Sequence, residues 1–267
     1  MKWVKQYSLS IFIISLMVGI SMPAFAGFLM GFQFPAIHNI GKSAKGWYRT
    51  PASSTNVEID YQETMFYLGG GLMFEVGMNP GHAGMRITPT LYKGSTEVNS
   101  SNFTVHTYDL LGFSNEQAQK LASNKPNKVI IKESAIGTGL VFKYNAPVKF
   151  KASKPFFFFI QKILQTTNPW IGIGPMMITF SRKVQAGEGD SAEYAAFTYT
   201  DFYFLIGGGF NVELHHTIEK IPANIIISLE FLYTLNLTPD NDLTTNDDTI
   251  QYDQTGFIFN LGFGYRI

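Results

Sequence analysis

Between Gly256 and Ile267 the chain reads GFIFNLGFGYRI. Phe257, Phe259, Leu261, Phe263, Tyr265 and Ile267 fall on one parity, and Gly256, Ile258, Asn260, Gly262, Gly264 and Arg266 on the other. Strict period-two alternation predicts a β-strand with one aromatic face and one face of small or polar residues. The same pattern recurs along the chain. Gly27 to Ile37 aligns Phe28, Met30, Phe32, Phe34 and Ala36. Phe66 to Val76 aligns Phe66, Leu68, Leu72, Phe74 and Val76 against Tyr67, Gly69, Gly71, Met73 and Glu75. Met85 to Tyr92 follows the tight turn Asn79-Pro80-Gly81-His82-Ala83-Gly84 as its return strand. Ile136 to Tyr144 turns Leu140, Phe142 and Tyr144 to the apolar side, Asn168 to Phe180 opens WIGIG, and Leu205 to Leu214 (LIGGGFNVEL) repeats the glycine-rich phrase. Ile225 to Leu235 puts Ile225, Ile227, Leu229, Phe231, Tyr233 and Leu235 on one face.

Small residues opposite an aromatic face suit the inside of a narrow barrel whose aromatic side meets lipid. The expected fold is therefore all-β: a single up-and-down antiparallel transmembrane β-barrel. Connections at 79–84 and 216–223 are short, while those at 38–56, 98–127, 184–199 and 238–254 are long and polar. In such barrels the short turns face the periplasm and the long loops face outside, which puts the C-terminus on the periplasmic side. Eight strands are expected, with ten as the alternative. The preferred arrangement brings Pro155 to Leu164 (PFFFFIQKIL) down through the membrane and leaves 128–154 as an outside hairpin arm. If that arm and Phe103 to Leu111 also cross, there are ten. Ser114 to Ser123 reads as a helix outside the hydrocarbon, with Ser114 as N-cap and Gln117 completing a capping box.

The N-terminus changes the picture of compartment. Lys2 and Lys5 precede an apolar run from Leu9 to Ile20, and Ala24-Phe25-Ala26 places small residues where a signal peptidase reads. The run is shorter than the roughly 20 residues a membrane helix needs. Residues 1–26 are thus expected to be a cleaved signal peptide and 27–267 the barrel domain. N-terminal sequencing of the outer-membrane fraction is expected to start at Gly27; recovery of Met1 from the inner membrane would overturn this. The mature chain of 241 residues would carry 18 basic and 20 acidic groups, a balance that excludes a nucleic-acid-binding face. The chain has no cysteine, so disulfides, cysteine zinc sites and N-terminal lipid acylation of the lipoprotein kind are excluded.

The terminal strand, Trp170-Ile171-Gly172-Ile173-Gly174, the glycine-rich stretch at 205–214 and the closing GFGYRI together resemble the small bacterial outer-membrane barrels of the OmpA-, OmpX- and OmpW-like kind. The resemblance implies that Asn260, Gly262, Tyr265 and Ile267 form a C-terminal assembly signal, although the family prefers phenylalanine last. It also implies a monomer that reaches the outer membrane of a diderm bacterium through periplasmic chaperones and the barrel-assembly machinery, and that contacts lipid and lipopolysaccharide there. Its implied roles are structural or adhesin-like, with a host or surface ligand held by the loops, or a narrow passive pore for small or apolar solutes. Lipid A modification is a third role in related barrels, but no histidine stands in the outer half of a strand beside an inward serine, so no catalytic residue is assigned.

Candidate chemistry is sparse. Glu75, Arg86, Glu213 and Arg266 take inward parities near periplasmic strand ends, Glu230 faces inward nearer mid-height, and Lys143 is a further member. A charge facing lipid at the midplane costs roughly 2 to 4 kcal/mol, so energy as well as parity turns them inward, where they must pair. They form either a gate or an ion-pair plug, and an eight-stranded interior filled by side chains favours the plug. His38, His82, His106 and the pair His215-His216 are scattered and lack metal-ligand spacing. Asp240, Asp242, Asp247, Asp248 and Asp253 make an acidic loop without the glycine and distal glutamate of a calcium site. No cofactor or metal is expected. Lys42, Lys45 and Arg49, with Trp47 and Tyr48, are placed to contact lipopolysaccharide phosphates or to be an ordinary loop with interfacial aromatics.

Overall fold

A computed structural model describes residues 28–49, 56–77, 82–146, 167–214, 220, 222, 224–237, 251–252 and 256–267. Eight long strands form one antiparallel ring: β1 (Phe28–Arg49), β2 (Asn56–Val76), β3 (Ala83–Asn99), β4 (Lys128–Asn145), β5 (Thr167–Ala186), β6 (Glu193–Glu213), β7 (Ile225–Asn236) and β8 (Gly256–Arg266). Each pairs with its sequence neighbours, and β8 returns to β1 through Phe32↔Phe263 and Met30↔Tyr265. Closure leaves no open sheet edge among these strands, the condition for a β-structure to cross a membrane. Gln251–Tyr252 adds a short strand against Ala44 and Lys45 of β1. Helices α1 (Val105–Leu110) and α2 (Asn115–Asn124) lie between β3 and β4.

The parities read from the sequence are the faces observed. Phe32, Leu68, Leu91, Phe142, Ile171, Phe202, Phe231 and Phe259 are exposed on the outside of the ring, whereas Tyr67, Met73, Val141, Trp170, Tyr203 and Asn260 are buried inside it. A ring whose outer wall is apolar and whose inner wall carries the polar groups is a transmembrane barrel.

β1, β2, β5 and β6 span 22, 21, 20 and 21 residues, about twice the 9–11 needed to cross a bilayer. All four extend past the apolar belt on the side of the β1–β2, β3–β4 and β5–β6 connections. Two expected loops are therefore largely strand: β1 runs through 38–49, and β5 and β6 leave only 187–192 between them. Above the belt the outer face meets water and is polar, as at Lys93, Ser95, Ser181 and Lys183. The greasy parity that marks a strand in lipid is lost there, although the hydrogen-bond ladder continues.

The eight-strand count holds, but its fourth member differs from the expectation. Lys128–Asn145 is no outside arm: it crosses the membrane, pairing with β3 through Ile87↔Leu140 and with β5 through Gly139↔Met176. Its 18 residues alternate buried and exposed almost without break, enough to span the bilayer alone. Pro155 to Leu164 lies outside the described residues, as do residues 1–26 with the expected cleavage positions Ala24 and Ala26, His215-His216 and most of the acidic loop. Phe103 to Leu111 does not cross, since it contains α1. The predicted helix is present as α2, with Ser114 as N-cap, the reciprocal Ser114–Gln117 capping box, and Lys125 in the left-handed conformation at its end.

Candidate functional site

The lumen is the site these strands build, and its lower part holds a network to which every strand contributes. Arg86 of β3 donates through Nε to Oε2 of Glu75 on β2 (2.7 Å), and its guanidinium also pairs with Glu230 of β7. It further donates to Ser228 Oγ and Asn211 Oδ1, each at 3.1 Å. Lys143 of β4 pairs with the other oxygen of Glu75, to which Asn211 Nδ2 donates at 3.3 Å. Asn260 of β8 donates to Glu230 Oε2 (3.1 Å) and to Gln33 Oε1 of β1 (2.6 Å), and Gln33 donates to Thr90 Oγ1 (2.5 Å). β5 supplies Trp170, whose ring lies 4.7 Å from Lys143 Nζ and 5.2 Å from Arg86 Cζ. The ring fits because Gly209 on the adjacent strand has no side chain; a Cβ there would stand 3.0 Å from Trp170 Cζ2. Glu75, Arg86, Lys143 and Glu230 are all buried, and their formal charges sum to zero. In a poorly hydrated interior this balance is what makes the charges tolerable.

Of the residues singled out from the sequence, Glu75, Arg86 and Glu230 are brought together here, with Lys143. Glu213 and Arg266 are not part of the group. They pair with each other at the periplasmic rim, where Asn168 Nδ2 donates to Glu213 at 3.2 Å, and their side chains keep 14% and 29% of their accessibility. Barrel shear separates residues that sequence parity places at one height. Asn260 and Gly262 face inward, Gly262 against Met73 and Ser228, while Tyr265 and Ile267 face outward. The backbone of Lys42, Lys45 and Arg49 belongs to β1 rather than to a loop.

A second charged layer sits higher, and the sequence reading missed it. Arg182 of β5 donates through Nη1 to Glu63 (2.6 Å) and Glu133 (2.9 Å); Tyr199 donates to Glu133 at 2.9 Å, and Tyr67 does so as well. The signal was present. Glu133 shares the parity of Lys143, and Arg182 that of Trp170, but both lie beyond the greasy stretches that marked the strands. Between the two layers lies a mostly apolar filling of Tyr92, Met176, Ile178, Tyr203, Leu205, Leu232 and Ile258, in which buried Asp201 accepts from the Tyr203 hydroxyl at 3.2 Å.

The outer mouth is covered by the helical hairpin. Tyr108, Leu111, Phe113 and Leu121 are buried in one cluster with Val129, Ile131, Val184, Ala186 and Ala195, the inward residues at the tops of β4, β5 and β6. Gly112 joins the helices at φ +87, with Phe197 so close that an added Cβ would lie 2.7 Å from its ring. At the water side Lys120 pairs with Glu193 at the outer tip of β6, and Gln117 Nε2 donates to the same carboxylate at 3.0 Å. The hydrogen bond from Lys120 holds the Glu193 carboxyl below its ordinary range. A depressed carboxyl pKa contributes stability above its unfolded value of about 4.3, and that contribution fades as pH falls through the folded value. The hairpin is thus expected to become more protease-sensitive in acid than at neutral pH, and Glu193→Gln to remove most of the difference. A pH-independent cleavage rate would contradict the latch.

No protein-family model matches the chain, and no curated protein matches it in sequence. Solved structures do. The attachment invasion locus protein Ail of Yersinia pestis, in complex with the heparin analogue sucrose octasulfate, aligns at 10% identity over 91% of this chain and 99% of its own, with a TM-score of 0.33. Neisserial surface protein A aligns at 12% identity over 90% and 96%, TM-score 0.31, and the outer membrane protein AlkL at 11% over 91% and 90%, TM-score 0.31. Likeness at this level adds nothing to the architecture that the strand ring itself displays. The closed ring, its apolar outer belt and its charged, filled interior define a small eight-stranded outer-membrane β-barrel protein.

Proposed function

We propose that the protein is a non-conducting, non-enzymatic outer-membrane barrel acting in a structural or surface-interaction role through the part that stands above the membrane. The observation that carries this is the filled lumen: two ion-pair layers separated by a mostly apolar layer of packed side chains, with a helical hairpin packed into the outer mouth. A water-filled pore needs a continuous polar path, and the buried side chains of an eight-stranded barrel close it. The projecting strands and the hairpin offer a rigid platform to whatever the cell surface meets. In planar bilayers the purified wild type is expected to show no steady single-channel current. Reproducible ion-selective conductance by the wild type would overturn the reading in favour of a pore.

A further inference from the structure

Three lysines point outward just above the apolar belt. Lys93 on β3, Lys132 on β4 and Lys183 on β5 are all exposed. The register makes them neighbours: Lys132 stands directly opposite Lys183, and Lys93, opposite Ser134, is diagonal to Lys132. Directly opposed Cβ atoms on one sheet face are about 4.5–5.5 Å apart and diagonal ones about 7–8 Å, and like charges so placed repel. Among the described residues none of the three pairs with a carboxylate. The nearest outward acid on these strands, Glu97, is taken by Lys128 at 3.7 Å. Exposed Ser95, Ser134 and Ser181 fill the spaces between the lysines, and the exposed apolar Leu91 and Ile136 lie immediately below. The wall therefore passes within two residues from an apolar surface to a cationic one.

We infer that this patch on the outer wall of β3, β4 and β5 binds the phosphorylated headgroup of lipopolysaccharide, with its acyl chains against Leu91 and Ile136. Height decides the ligand, because in the outer leaflet the groups level with the top of the apolar belt are the lipid A phosphates. A phosphate monoester carries a charge of about −1.5 to −2 and three acceptor oxygens, enough to bridge Lys132 and Lys183 and relieve their repulsion. Flexible lysine stems lie along the apolar wall while their ammonium groups reach the phosphate plane. The site rests on the reading that the long strand ends lie on the outer side of the membrane, and it is independent of whether the lumen conducts.

The test uses the full-length mature barrel, purified in a neutral detergent with EDTA present and offered diphosphoryl lipid A, monophosphoryl lipid A or inorganic phosphate. Retained lipid is read by native mass spectrometry. Wild type is expected to retain diphosphoryl lipid A, with monophosphoryl lipid A weaker, and the variant Lys93→Gln/Lys132→Gln/Lys183→Gln to lose at least tenfold in affinity. Lys→Arg at the same positions should restore binding. Each variant's heat-modifiable mobility checks that the barrel is folded, and since the three side chains point away from the lumen, folding and the absence of conductance should be unchanged. Equal retention by wild type and the glutamine variant would overturn the inference, as would complete displacement by millimolar inorganic phosphate, which would mark a free-anion site. Conductance in both proteins would instead overturn the non-conducting reading and leave the lipid site standing.

Discussion

Deleting Tyr265 to Ile267, or placing Asp at both Phe263 and Tyr265, is expected to reduce folded barrel at least tenfold, leaving degraded or unfolded periplasmic protein. β8 is the closing strand, paired along its length with β1 on one side and β7 on the other, and Ile267 N still donates to Phe28 O at 2.8 Å. The truncation strips partners from Leu29 and Met30 on one side and from Ile225 on the other, opening the seam at its periplasmic end. In hydrocarbon each unsatisfied backbone group costs several kcal/mol, so the loss exceeds what a marginally stable protein tolerates. The Asp variant acts through another term. Phe263 and Tyr265 are 42% and 51% exposed to lipid, and two charges there replace apolar area that anchors the strand. Gel mobility of unheated against boiled outer-membrane samples reads the result. Wild-type amounts of heat-modifiable protein from either variant would refute it.

Arg86→Ala is expected to be the most damaging single change in the lumen, lowering stability by about 3 to 5 kcal/mol in urea unfolding from lipid vesicles. Among the described residues the guanidinium is the one cation paired with Glu230, and it shares Glu75 with Lys143, so its removal leaves two buried carboxylates and one ammonium. Ser228 Oγ and Asn211 Oδ1 each lose one hydrogen bond as well, though Ser228 still donates to Asn211 Oδ1 at 2.9 Å. Neutralising all four partners together, as Glu75→Gln/Arg86→Met/Lys143→Met/Glu230→Gln, should recover much of the loss, because exchanging a whole buried ion group for uncharged residues often costs little. These groups touch one another, so the single changes will not add. Arg266→Ala and Glu213→Ala should each cost about 1 kcal/mol or less, since their pair is partly solvated. Equal effects at Arg86 and Arg266 would show that both groups are hydrated, which would fit a pore.

The inward glutamates and arginines were legible as inward, but their grouping was not. Parity says which wall a side chain faces, whereas height inside the barrel depends on strand tilt and on the register of every pair between the two residues. Glu230 and Glu213 lie on consecutive strands, yet the first meets Arg86 of β3 while the second meets Arg266 of β8. Glu63, Glu133 and Arg182 carry no comparable local signal, because an aromatic outer face is what marks a strand as lying in lipid, and these three stand where that face has already turned polar.

The sequence by itself determined what depends on near neighbours: the outward and inward faces of the strands, the capped helix at Ser114, and the prospect of a closed antiparallel ring. These follow from a period of two, a four-residue capping motif and the cost of charge in lipid, all readable within a few residues. Only the tertiary structure decided which segment supplies the fourth strand, how far β5 and β6 rise above the membrane, and which charges meet. Those outcomes rest on pairings such as Asn260 with Gln33, 227 residues apart. Ring closure sets such distances, and no local pattern encodes them.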